Sequence, residues 1–247
     1  MTQPQAILFD MDGTIVDTEP LWEAAEARAL ADMGTKMTPD MRAQLLGSTL
    51  PRMVALLRSF AAHPLDEAVV GQRVEQGVID LLDEGLPWKV GLRELLEWAN
   101  SKGIPTAVVT ATRRHVASRV LAHAPVTPGF TTAVYGDDVT EGKPSPEGYL
   151  KAARLLGVDI ASCLIVEDSP VGLQAAQASG GVPVAIKGAA SEDFAKNYPY
   201  IRELSDLNEE VIEAIMAGEC PNFVQEASSY REAGPTARRR SSPSCGI

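Results

Sequence analysis

"ILFDMDGTIVDTEP" (residues 7–20) is the stretch whose reading decides the fold. Ile7, Leu8 and Phe9 run without interruption into Asp10, Asp12 and Asp17, with Gly13 and Thr14 between the second and third acid. A short continuous apolar run bounded by turn residues reads as a strand buried on both faces. Carboxylates are costly inside such a strand, so their place at its mouth marks an edge where something other than core is met.

Three further runs have the same character: "TAVVT" (106–110), "CLIV" (163–166) and "VPVAI" (182–186), with a weaker fifth in "TTAVYG" (131–136). Helical patterns lie between them, such as "LRELLEWANSKG" (92–103) and "GYLKAARLLG" (148–157), both ending in glycine as helices often do. Strands alternating with helices predict an α/β fold, a doubly wound parallel sheet covered on both faces. Residues 18–87 differ. They contain four helical patterns and no convincing strand, so the chain is expected to insert an all-helical cap between a core of residues 1–17 and 88–218. The hinges fall near Asp17–Pro20 and Leu86–Val90, and such insertions commonly serve as lids. Residues 219–247, with Arg238–Arg240 between Pro and Ser clusters, read as a disordered tail.

Composition narrows the function. Of 247 residues, 45% are hydrophobic and 22% charged, the balance of a globular protein, and 33 acids against 22 bases give a net charge of −11. That charge disfavours nucleic acid and anionic membrane as partners, and it obliges any anionic substrate to find a local positive site. No apolar run is long enough for a membrane span, and the N-terminus lacks the pattern of a secretory signal. Cys163, Cys220 and Cys245 are widely spaced and form no CxxC, which fits reduced thiols and a cytoplasmic location, with Cys163 a core residue.

In an open parallel sheet, ligands bind beyond the carboxyl ends of the strands. That rule brings Asp10, Asp12, Glu167 and Asp168 together with Thr110 and Lys143. Two like charges 4 Å apart repel by about 4 kcal/mol at an effective dielectric near 20, so four carboxylates need a cation among them. All-oxygen ligands without His or Cys point to Mg²⁺, completed by water and substrate phosphate. Lys143, Thr110 and backbone N–H groups near Met11–Gly13 and Ala111 would cradle the same anion.

In order and spacing, "DMDGTIVD" (10–17), "VVTAT" (108–112), "GKPSPEGY" (142–149) and "VEDSPVGLQAA" (166–176) resemble the four motifs of the haloacid dehalogenase-like superfamily. The resemblance covers about residues 5–190 and is narrowest to the helical-cap branch that holds β-phosphoglucomutase and many sugar-phosphate phosphatases. It implies a nucleophilic Asp10 that forms an aspartyl-phosphate and an Asp12 that serves as general acid, then base. It implies Mg²⁺ on the Asp10 carboxylate, the Asp12 carbonyl and Asp168, with Glu167 ligating or orienting, and Thr110 and Lys143 on the phosphoryl oxygens. Arg113, just past Thr110, and Arg52, in the cap after Gly47, are candidate substrate contacts.

The resemblance also discriminates. Dehalogenases lack an acid at the place of Asp12 and need no metal. β-Phosphoglucomutase-like enzymes carry a His where Trp22 stands and an Arg where Leu50 stands. A non-catalytic phosphate-binding module would have lost one of Asp10, Asp12, Lys143 or Asp168, and all four are present. The expectation is a monomeric, Mg²⁺-dependent phosphatase of a small phosphorylated metabolite, with a phosphomutase as the alternative.

Overall fold

The structure is a computed structural model that describes residues 3–46, 48–82 and 85–220. The expected tail falls almost wholly on residues 221–247, and Gly47 in the expected cap is also outside the described residues. Six strands form one sheet: β1 (Ala6–Phe9), β2 (Thr106–Val109), β3 (Thr132–Val134), β4 (Cys163–Glu167), β5 (Val182–Ile186) and β6 (Tyr200–Ile201). Ten α-helices accompany them among the described residues: α1 (Glu19–Asp32), α2 (Pro39–Leu45), α3 (Leu50–Phe60), α4 (Glu67–Leu81), α5 (Leu92–Lys102), α6 (Arg114–Ala122), α7 (Glu147–Leu156), α8 (Pro170–Ser179), α9 (Glu192–Ala195) and α10 (Glu209–Met216).

The described residues of Met1–Val16, Trp88–Ala111 and Ala124–Ile247 form one compact unit. Its sheet has the order β3-β2-β1-β4-β5-β6, with every pairing parallel. The order reverses between β1 and β4, so the crevice at a doubly wound sheet's switch point opens between the ends of these two strands. Register puts Phe9 beside Val166, and therefore Asp10 beside Glu167. The four residues of β1 are fully buried. Each large side chain among them contributes roughly 1.5–3 kcal/mol of burial, which pins the strand that delivers Asp10. Ala6 and Leu8, on one face, pack with Ala107, Val109, Ile165, Tyr149, Ala152 and Ala176. α5 and α7 end where the sequence suggests, on Gly103 and Gly157 in the left-handed conformation.

Details differ from the sequence reading: β2 and β3 are shorter than the apolar runs that announce them. β4 runs one residue further, to Glu167, and β6 is too short to show a pattern. Cys163 is buried and free as expected, whereas Cys220 is disulfide-bonded, so reduced thiols throughout is corrected.

The described residues of Asp17–Pro87 and Thr112–His123 form a second unit, entirely helical, built from α1–α4 and α6. The inclusion of Thr112–His123 differs from the expected boundaries. α6 sends Val116 into a core with Ala25, Leu30, Leu57, Val74 and Val78. Gly77 allows α1 and α4 to close up, since a Cβ there would lie 2.9 Å from that of Ala25.

Candidate active site

The turn after β1 sets the first part of the site. Asp10 N donates to Val166 O at 3.0 Å, and Met11 O accepts from the N–H groups of Thr14, Ile15 and Val16. Gly13 makes the turn with φ +86°, and a Cβ on it would stand 2.4 Å from Asp168 Oδ2. Gly188 approaches the same oxygen equally closely, so two glycines wall the Asp168 carboxylate while Ala189 N donates to Oδ2 at 3.0 Å. Thr14, fully buried, has a hydroxyl with no hydrogen-bond partner among the described residues.

The loop from "GKPSPEGY" supplies the cation. The Lys143 ammonium lies 2.5 Å from Asp10 Oδ1 and 2.5 Å from Glu167 Oε1, and 5.3 Å from the centre of the Tyr149 ring. Glu147 holds this loop by accepting from Thr140 N and Glu141 N, each at 2.9 Å. Glu167 is fully buried, and its Oε1 also accepts from Tyr149 OH at 2.7 Å. Its Oε2 accepts from Ser169 Oγ at 3.2 Å and from Ser169 N at 3.4 Å. Ser169 caps α8 by accepting from Gly172 N.

Carboxylate oxygens of Asp10, Glu167 and Asp168 all lie within 4.8 Å of one another. Burial pushes the Asp10 carboxyl well above its usual range, Lys143 opposes this, and Glu167, Asp168 and Asp12 add to the rise. Burial likewise raises Asp168 to about 6, against the Ala189 N–H that favours its ionised form. Burial alone would lower Lys143, but attraction to Asp10 and Glu167 outweighs it and holds the ammonium protonated above its ordinary range. Tyr149 is driven upward by burial and by the nearby Glu167 charge, so its phenol stays a donor. Three buried carboxylates facing one ammonium form a donor set that suits a small hard cation: oxygen only, negatively charged, and incompletely neutralised by the protein.

Asp10, Lys143, Glu167 and Asp168 are thus together in one place. Asp12 stands beside them through Thr110, whose Oγ1 donates to Asp12 Oδ2 at 3.1 Å. Ala111 is exposed just past β2, with its carbonyl against Gly136, where a Cβ would come within 2.1 Å of it. Arg113 and Arg52 belong to the helical unit. Arg113 lies 3.7 Å and His115 3.4 Å from Glu75, a carboxylate only 4% exposed, and Arg52 is exposed at the start of α3. The sequence reading did not single out Tyr149, Ser169 or Glu147. A tyrosine two residues into α7, on its apolar face, was the one available hint for the first. Gly172 of α8 stands against the same group, since a Cβ there would meet the Glu167 carboxylate at 2.0 Å.

Residues 7–186 match the family described as haloacid dehalogenase-like hydrolase. The chain belongs to that family. Among haloacid dehalogenase-like relatives, the phosphorylated carbohydrates phosphatase of Thermotoga maritima is 33% identical over 178 residues, covering 71% of this chain and 82% of that one. Hexitol phosphatase B of Escherichia coli K12 is 31% identical over 190 residues, or 72% and 83% of the two chains. The crystal structure of CbbY from Rhodobacter sphaeroides in complex with phosphate is 27% identical, with a TM-score of 0.76 over 85% of this chain and 99% of that one.

Proposed function

We propose that this protein is a Mg²⁺-dependent phosphatase that hydrolyses a small phosphomonoester, a sugar phosphate, through an aspartyl-phosphate on Asp10. The observation that carries the proposal is the Lys143 ammonium held against Asp10 and Glu167, with Asp168 alongside, at the mouths of β1 and β4. The names of the two phosphatase relatives support the substrate class.

The Asp10 carboxylate attacks phosphorus, and the bond from phosphorus to the sugar oxygen breaks. Asp12, steadied by the Thr110 hydroxyl, protonates the departing oxygen. It then takes a proton from water as the water attacks the phosphorylated Asp10 and releases phosphate. Lys143 stands against the anionic oxygens, and Thr110 and the Ala111 N–H lie on the β2 side of the same mouth. Asp10, the Asp12 carbonyl and Asp168 would hold Mg²⁺, with Glu167 ligating or orienting beside them; when bound, the ion supplies charge neutralisation for the phosphoryl group. Arg113 and Arg52 remain the candidates for reading the rest of the substrate. The helical unit serves as the cap, and the protein acts as a monomer in the cytoplasm.

The test is phosphate release from a generic aryl phosphate with Mg²⁺, followed by a screen of sugar, nucleotide and short-acid monophosphates. Turnover should appear, favour sugar phosphates and vanish in Asp10→Asn. Persistent turnover in that variant would remove Asp10 as the nucleophile. Conversion of β-glucose 1-phosphate to glucose 6-phosphate, faster than phosphate release and dependent on a bisphosphate primer, would make the protein a mutase.

A further inference from the structure

Glu167 has no oxygen left uncommitted. An ionised carboxylate offers about four lone-pair sites, and four donors converge on this one: Lys143 and Tyr149 on Oε1, and the N–H and hydroxyl of Ser169 on Oε2. Gly172 closes the remaining side, because even a methyl group there would occupy the same space as the carboxylate. Tyr149 is fully buried, and besides donating to Glu167 it presents its ring to the Lys143 ammonium within the range of a cation–π contact. A lysine is a point charge on a flexible stem, so its location depends on what it leans against. Here it leans on Asp10, Glu167 and the Tyr149 ring, and two of those three are fixed by Tyr149.

We propose that Tyr149 is a positioning residue: its hydroxyl fastens Glu167 so that this carboxylate holds the Lys143 ammonium beside Asp10 and is not spent as a metal ligand. The proposal rests on the phosphatase reading for its kinetic consequences alone. The placement of Lys143 by Tyr149 stands or falls without it.

The test is Tyr149→Phe, which keeps the ring and removes the hydroxyl. The Lys143 ammonium is followed by ¹H–¹⁵N correlation spectroscopy, its signal assigned by its loss in Lys143→Arg. In Tyr149→Phe the signal should shift or exchange faster, because Glu167 has lost the donor that anchors it; an unchanged signal overturns the proposal. In the kinetic arm, kcat for aryl phosphate should fall on the order of tenfold, the scale on which outer partners tune a site. KM and the Mg²⁺ dissociation constant, the latter from calorimetry on the metal-free protein, should stay within about twofold. Activity restored by excess Mg²⁺ would show that Glu167 serves the metal, and would overturn the proposal. If the wild-type protein releases no phosphate from any substrate, the phosphatase reading fails while the spectroscopic arm still decides the role of Tyr149. Should Tyr149→Phe not fold, Tyr149→Met, a flexible side chain that fills most of the site without a hydroxyl or a ring, takes its place, and the same two outcomes apply to it.

Discussion

Gly172→Ala separates what helix propensity expects from what the Glu167 carboxylate requires. Gly172 lies in the first turn of α8 with an ordinary φ, so in an exposed helix alanine would stabilise by at most about 1 kcal/mol. At this site the new Cβ would stand 2.0 Å from three atoms of Glu167, and the carboxylate must move. Movement breaks its bonds from Tyr149 OH and Ser169 Oγ. Hydrogen bonds to a charged group are each worth about 1.5–3 kcal/mol, so the net effect is a loss near 3 kcal/mol. For a chain of this size that lowers Tm by roughly 6–12 °C, read by calorimetry. In a Glu167→Ala background the obstacle is gone and Gly172→Ala should become neutral or stabilising, an interaction energy above about 2 kcal/mol in the double-mutant cycle. A Gly172→Ala variant as stable as wild type, or equal effects in both backgrounds, would refute the reasoning.

Two further predictions concern titration. Glu26, half-buried in α1, is raised to about 7 by burial and by Glu19, so the folded protein holds a proton the unfolded chain releases near 4.5. Its contribution to stability therefore falls as pH rises from about 4.5 to 7; Glu26→Gln should stabilise by about 1–2 kcal/mol at pH 8, after discounting for solvent, and change little at pH 4, as thermal melts at the two pH values would show. Asp168, raised to about 6, must lose its proton to bind a cation, as must Asp10, so Mg²⁺ affinity measured by calorimetry should fall by at least about tenfold per pH unit below pH 6, and pH-independent binding would contradict the proposal that Asp168 is a ligand.

The sheet could be read from sequence because β1, β2, β4 and β5 are continuous apolar runs, a pattern that full burial imposes residue by residue. Asp10, Glu167 and Asp168 were legible because strand ends in a parallel sheet share one edge, so position along each strand was enough to gather them, while Lys143 comes from the loop that follows β3 toward that same edge. Tyr149 and Gly172 were not. A tyrosine in an apolar helical stripe reads as core, and nothing local says that its hydroxyl meets a carboxylate 18 residues away. The glycine's reason is likewise the side chain it faces and not the helix it sits in. The joining of α6 to the helical unit was hidden for a related cause: its polar start, Arg113 to His115, looks solvated until Glu75 of α4 is beside it. β6, two residues long, carries no period at all.

The central claim is that Asp10 accepts the phosphoryl group and Asp12 moves the proton. Asp12→Asn retains the nucleophile but lacks the base needed to activate water, and an aryl phosphate leaves without help from an acid. Incubated with p-nitrophenyl phosphate and Mg²⁺, quenched in acid and digested, that variant should yield a peptide phosphorylated on Asp10, together with a burst of nitrophenol equal to the enzyme present. A burst with the phosphoryl group on any other residue, or steady turnover with no phosphorylated peptide, would contradict the account.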